Sequence, residues 1–171
     1  MKSVRLLILA LLAVSLVPAA PMAYNFSYQS SKGLLAGMLT GELQGDNNTV
    51  VVSSFSMVTF NGNPGPDLPF LYSLVEAFLG PGPLPPVVSL DGLGIDFLAC
   101  SGPLGLCVES FYFAPAGSLA PVGIASSSFA YGFFNEEYLP ENWSLTPKVP
   151  EPSSFALLGL GVLAVVVRRR R

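Results

Sequence analysis

The sequence predicts a mainly β fold: a small antiparallel sandwich-like ectodomain, flanked by an N-terminal signal peptide and a C-terminal transmembrane helix. Three observations lead there. Short runs of β-branched and aromatic residues recur between turn-forming clusters, which suits antiparallel strands. Proline- and glycine-rich loops at 61–69 and 80–86 separate those runs. Both ends of the 171-residue chain join an apolar stretch to basic residues, a composition that addresses a protein rather than folding it.

The first element is the leader, residues 1–23. Lys2 and Arg5 precede an apolar run at 6–17, and Pro18, Ala19, Ala20 and Ala23 supply the helix breaker and small residues of a cleavage site. The run is twelve residues, short of the ~20 that span a bilayer, so an uncleaved anchor is disfavoured. Cleavage is expected after Ala23, with Ala19 as the alternative. The Sec translocon and signal peptidase are the implied partners.

Residues 24–148 form the expected β-rich exported domain. Residues 34–43 and 49–55 should pair as a hairpin across Gln44-Gly45-Asp46-Asn47-Asn48, which is turn chemistry. Residues 87–90 lead to Asp91-Gly92, a favoured hairpin dipeptide, and then to a strand at 95–99. Further strands are expected at 108–113 and 128–134. Leu71, Leu74, Val75, Phe78 and Leu79 fit a helical stripe, although a segment so short is equally compatible with a strand.

Cys100 and Cys107 are the only cysteines, and they flank a six-residue loop between two strand candidates. In an oxidising compartment a disulfide across a hairpin end is expected. A redox pair would use two-residue spacing, and a thiolate metal site lacks other soft ligands. Asp91 with Asp96, and Glu136 with Glu137 and Glu141, are the acidic groupings. A carboxylate pair can serve glycoside hydrolysis or bind Ca²⁺, but no spacing here matches a calcium loop, so turn and surface roles are expected. Tyr24, Phe26 and Tyr28, or Phe111, Tyr112 and Phe113, could form a sugar-stacking strip. At period two such residues more often fill a core on one face.

Charge and composition exclude other classes. Only Lys32 and Lys148 lie between the two ends, against eleven acids from Glu42 to Glu151, a net charge of −9. Such a domain is a poor partner for nucleic acid. The chain has no histidine, which removes the usual general base of hydrolases and the commonest zinc ligand. No cofactor, metal site or catalytic residue is expected, and the protein is read as non-enzymatic.

The last element spans 149–171. Val149, Pro150, Glu151 and Pro152 open a polar motif at 149–154. An apolar segment of thirteen residues follows at 155–167, and Arg168, Arg169, Arg170 and Arg171 close the chain. A helix of thirteen residues covers about 20 Å of a ~30 Å hydrocarbon core. Ser153 and Ser154 can extend it, and arginine side chains can snorkel outward. The segment has no polar face, unlike a buried amphipathic helix. The positive-inside bias keeps the four arginines cytoplasmic and everything before Phe155 outside, in agreement with the leader.

These residues resemble the PEP-CTERM sorting signal of Gram-negative bacteria: Val-Pro-Glu-Pro-Ser, an apolar stretch carrying Gly159 and Gly161, and a terminal arginine cluster. The resemblance implies processing near Pro-Glu-Pro by an exosortase, an integral-membrane enzyme, followed by release or transfer toward the cell surface. It also implies association with exopolysaccharide or biofilm matrix. The segment Asp91-Gly92-Leu93-Gly94-Ile95-Asp96-Phe97 is similar to one recurring among such proteins. The expectation is therefore an exported surface or matrix protein with a structural or adhesive ectodomain. The alternatives are a carbohydrate-binding module, a membrane-anchored surface protein that is not processed, and a secreted carboxylate-dependent glycosidase.

Overall fold

Alternating tyrosine, phenylalanine and tyrosine at 24, 26 and 28 set the first strand, because period-two aromatics place every large ring on one face. The computed structural model describes residues 21–80 and 84–148. Within them lie β1 (Met22–Ser30), β2 (Gly33–Leu43), β3 (Thr49–Phe60), β4 (Asn63–Pro64), β5 (Phe70–Tyr72), helix α1 (Leu74–Leu79), β6 (Val87–Ser89), β7 (Phe97–Cys100), β8 (Ser110–Ala114), β9 (Ile124–Ser127), β10 (Asn135–Glu137) and β11 (Trp143–Pro147). Two antiparallel sheets result. Sheet A runs β11-β1-β2-β3-β4 with β6 also on β3, and sheet B runs β10-β9-β8-β7-β5.

The sheets pack face to face on an aromatic core. Phe26 meets Phe55 edge-on at 5.2 Å and Phe111 stacked at 5.9 Å. Tyr28 meets Phe113 edge-on at 4.9 Å, and Phe55 meets Phe97 at 4.9 Å. Such ring pairs add about 0.5–1.5 kcal/mol each to the area they bury. A second, smaller cluster lies outside sheet B, where α1 places Leu74 beside Leu98, Cys100 and Ala114.

The expected hairpin at 34–43 and 49–55 is present as β2 and β3, with Leu43 opposite Val50. Its turn is held by Asp46, whose carboxylate accepts from the Asn48 and Thr49 amides at 3.0 and 2.9 Å. Two register shifts bend β3. The open segment at 71–79 divides: Leu71 lies in β5 and the helix begins at Leu74. Asp96 explains the start, since its carboxylate accepts from the Leu74 and Val75 amides at 2.8 and 3.1 Å, while the Ser73 hydroxyl caps Glu76.

Two expectations are corrected. Asp91-Gly92 does not close a hairpin of two paired strands. β6 pairs with β3 and β7 with β8, so the turn carries the chain from one sheet to the other, with one bridge at Val87 and Asp96. Gly92, at φ 74°, packs beneath Tyr138 and Trp143, and a Cβ there would sit 3.0 Å from the Tyr138 hydroxyl. The segment 128–134 is not a strand either. It folds as a 3₁₀ turn at Phe129–Tyr131 that ends on Gly132 in the left-handed region.

Candidate functional site

Two places in the domain bear on function, and the first is where the chain leaves it. β11 pairs antiparallel with β1 in five steps, from Tyr28 opposite Trp143 to Tyr24 opposite Pro147. The last backbone bond is one residue further, with the Lys148 amide donating to the Ala23 carbonyl at 2.7 Å. Trp143 anchors the strand. Its indole is buried, stacks on Phe26 at 5.8 Å, meets Phe113 edge-on at 5.6 Å and donates to the Ser89 carbonyl at 3.1 Å. Leu145 is buried beside it, while Ser144 and Thr146 face solvent.

Ala23, expected as the signal cleavage residue, lies inside β1 opposite Thr40, and the strand already begins at Met22. Ala19 lies outside the described residues. So do the sorting residues Val149, Pro150, Glu151 and Pro152, the segment 155–167, and the basic residues Arg168 to Arg171. Among the described residues no helix is long and apolar enough to cross a membrane.

The second place is the tip at 128–133. Phe129 and Phe133 are 79% and 60% exposed, and their rings stack face to face at 4.3 Å with planes 3° apart. The loop beneath them is tied down. Tyr131 is buried with its hydroxyl on the Pro66 carbonyl, and the Ser127 hydroxyl donates to the Tyr131 carbonyl at 2.8 Å. Glu109 accepts from the Ser128 hydroxyl and from the Ala130 amide at 3.1 Å. Gly132 lies against the Phe60 ring, where a Cβ would come within 2.2 Å of it. Phe133 holds φ 47°, a backbone state that a bulky residue rarely adopts. Surrounding bonds therefore hold a strained residue so that two apolar rings face solvent.

The aromatics considered from sequence fall elsewhere. Tyr24, Phe26, Tyr28, Phe111 and Phe113 are buried, and only Tyr112 is half-exposed, on the outer face of sheet B. There it lines an open cavity of about 350 Å³ with Phe78, Leu98, Leu104 and the disulfide. Cys100 and Cys107 are bonded, with Cα atoms 5.4 Å apart, in the range a disulfide requires.

The acidic groupings are spent on local structure. Asp91 accepts from the Leu93 amide at 2.9 Å and from the Asn48 side chain at 2.9 Å. Those bonds, the Leu93 amide first, hold its carboxyl below the ordinary 3.8. Asp96 faces α1 instead, as described above. Glu136 accepts from the Ser31 amide at 3.0 Å, Glu137 ends β10 and Glu141 sits in a 3₁₀ turn. Among the described residues no group of three or more acidic, cysteine or histidine side chains is placed to hold a metal ion.

Sequence reasoning did not single out Phe129, Phe133 or Trp143. The stacked pair could not be read from spacing alone, because its exposure depends on Glu109 and Phe60, far away in the chain. Comparison with known families finds one match, to the PEP-CTERM protein-sorting motif over residues 148–171. Comparison with curated proteins and with solved structures finds no match. The chain thus carries a PEP-CTERM sorting motif at its C-terminus, and that motif implies an exported protein processed by an exosortase.

Proposed function

We propose that this chain is a surface or extracellular-matrix protein whose β-sandwich has a structural or adhesive role. An exosortase cuts it near Val149–Pro152 after export. The observation that carries the reading is a coincidence of position. The sorting motif begins at residue 148, the same residue that makes the last described hydrogen bond of sheet A. The motif and the sheet therefore share only Lys148, and the rest of the matched segment follows the folded domain.

Each step has a physical basis. The leader takes the chain across the inner membrane, where an oxidising compartment allows the Cys100–Cys107 bond. The apolar segment 155–167 halts transfer, and Arg168 to Arg171 stay on the cytoplasmic side. Pro150 and Pro152 fix their own φ and bias Val149 and Glu151 before them toward extended backbone, which suits a protease cleft, and Glu151 offers a charge to read. The freed domain then joins the matrix, with exopolysaccharide as its expected surroundings. The test replaces Pro150, Glu151 and Pro152 with alanine. Export and insertion should persist while tail loss fails, so full-length protein accumulates in the membrane fraction. Tail loss at the normal rate in that variant would reduce the motif to a linker. No tail loss in the wild type would favour the plainly anchored alternative.

One observation favours a second reading of the ectodomain, a carbohydrate-binding module. Phe129 and Phe133 are exposed and stacked on each other, so each ring keeps an outer face on which the apolar face of a sugar ring could stack. Replacing both with alanine should abolish retention on the cognate matrix polysaccharide if that reading holds. Undiminished retention would return the tip to a role in protein contacts or packing.

A further inference from the structure

We infer that the aromatic tip of one copy inserts into the cleft on the outer face of sheet B of a second copy, and the reverse, so that the exported domain pairs as a two-fold dimer. The inference deepens the structural reading above by naming the partner, and it gives the tip to protein rather than to sugar.

Topology puts tip and cleft side by side. β7 ends at Cys100, opposite Ser110 at the start of β8, and β9 ends at Ser127, opposite Phe111. The disulfide loop and the 128–133 turn therefore leave the same end of sheet B. They are also bonded together: the Ser110 amide donates to the Ser128 hydroxyl oxygen at 3.0 Å, and Ser110 itself lines the cleft. Around them Phe78, Leu104, Leu106, Val108, Phe129 and Phe133 are all exposed. At the ~200 Å² that a phenylalanine can bury, the three phenylalanines alone offer roughly 400 Å². That already matches the largest apolar patch of an ordinary monomer. The two leucines and the valine bring the surface toward the ~800 Å² per partner of a standard interface.

Shape and charge pick the occupant. An apolar cavity of ~150 Å³ holds one benzene. The cleft, at about 350 Å³, therefore has room for both stacked rings of the tip. No charged side chain lines it, and Leu98, Tyr112 and Phe78 offer apolar surface to the incoming rings. Glu109, beside both features, commits its carboxylate to the Ser128 hydroxyl and the Ala130 amide. The domain is otherwise acidic, so an anionic lipid surface or polymer is repelled, whereas two copies can meet at an uncharged face. The tip needs little ordering on contact, because Tyr131, Gly132 and Glu109 already hold it. A knob beside its own hole suits an isologous contact, repeated about the two-fold axis.

Sedimentation equilibrium of the exported protein tests this, in detergent wherever the tail is retained. Failed sorting then shows in the mass of the single chain, and failed pairing in the difference between wild type and variants. Wild type should be a dimer at about 50 μM, above the micromolar Kd that interfaces of this size reach at their weakest. Phe129→Ser with Phe133→Asn removes the tip, and asparagine tolerates the φ of 47° at residue 133. Ala77→Phe fills part of the cleft from α1, and remains informative if the tip variant misfolds. Each should raise the dimer Kd about tenfold or more. Mixed in equal amounts, the two should associate severalfold more tightly than either alone, since one intact tip then meets one open cleft. Wild type that stays monomeric would overturn the inference and leave the tip to sugar or to another protein. So would a tip variant that dimerises as wild type does. A mixture no tighter than its components would also overturn it, because tip would then meet tip.

Discussion

Replacing Trp143 tests how firmly the last strand is held. Trp143→Ala removes a buried indole that stacks on Phe26 and meets Phe113. Large-to-small changes of that kind cost about 3–5 kcal/mol. The bond from Nε1 to the Ser89 carbonyl is lost as well, but that carbonyl keeps the Gly92 amide at 3.2 Å, which limits the extra cost to about 1 kcal/mol. Trp143→Phe should keep most of the stack and cost roughly 1–2 kcal/mol, the lost bond plus a small void. With a urea slope of about 2 kcal/mol/M for a domain of this size, the midpoint should fall by about 2–3 M in the alanine variant and by about 0.5–1 M in the phenylalanine variant. Equilibrium urea unfolding of the exported protein, followed by circular dichroism, measures both. A shift under about 0.5 kcal/mol in Trp143→Ala would match an unremarkable surface site, and the argument that β11 is locked in the sheet would fail.

Three further outcomes follow from the same structure. Among the described residues the Tyr24 hydroxyl is buried without a hydrogen-bond partner, so Tyr24→Phe should raise stability by about 1 kcal/mol, and a loss of that size would reveal a partner. Burial pushes the Tyr28 and Tyr131 phenols from the ordinary 10.0 up to about 12. The unfolded chain therefore releases these protons first, so their stabilising contribution is complete below pH 10 and is lost as pH climbs toward 12. Urea midpoints that stay level from pH 9 to 11.5 would contradict this. Finally, a cut after Ala23 would strip Met22 and the acceptor of the Lys148 bond from β1; N-terminal sequencing of surface material should read Ala20-Pro21-Met22, and a start at Tyr24 would refute it.

What the sequence disclosed depends on how local the determining physics is. The sorting signal is legible because translocation and membrane insertion act on composition along the chain. The β2–β3 hairpin is legible because Asp46 organises its own turn within three residues. The disulfide is legible because two cysteines of an exported domain have only each other. The misses are long-range. Residues 128–134 have the look of a strand, yet Glu109 binds Ser128 and Ala130 from nineteen residues or more away and folds them into a turn. β11 is five residues ending in proline, too weak a signal alone, and it becomes a strand because β1 and the core accept Trp143 and Leu145. Asp91-Gly92 was a turn as expected, but whether a turn joins two paired strands or crosses between sheets is decided by Thr49 and Val51 on β3, which pair with β6.

The central claim is that a folded β-sandwich is cut from its C-terminal signal after export, and the intact mass of the mature protein tests it most directly. The account predicts a chain that ends within residues 149–154, with Cys100 and Cys107 still bonded. Surface material that runs unbroken to Arg171 would contradict it.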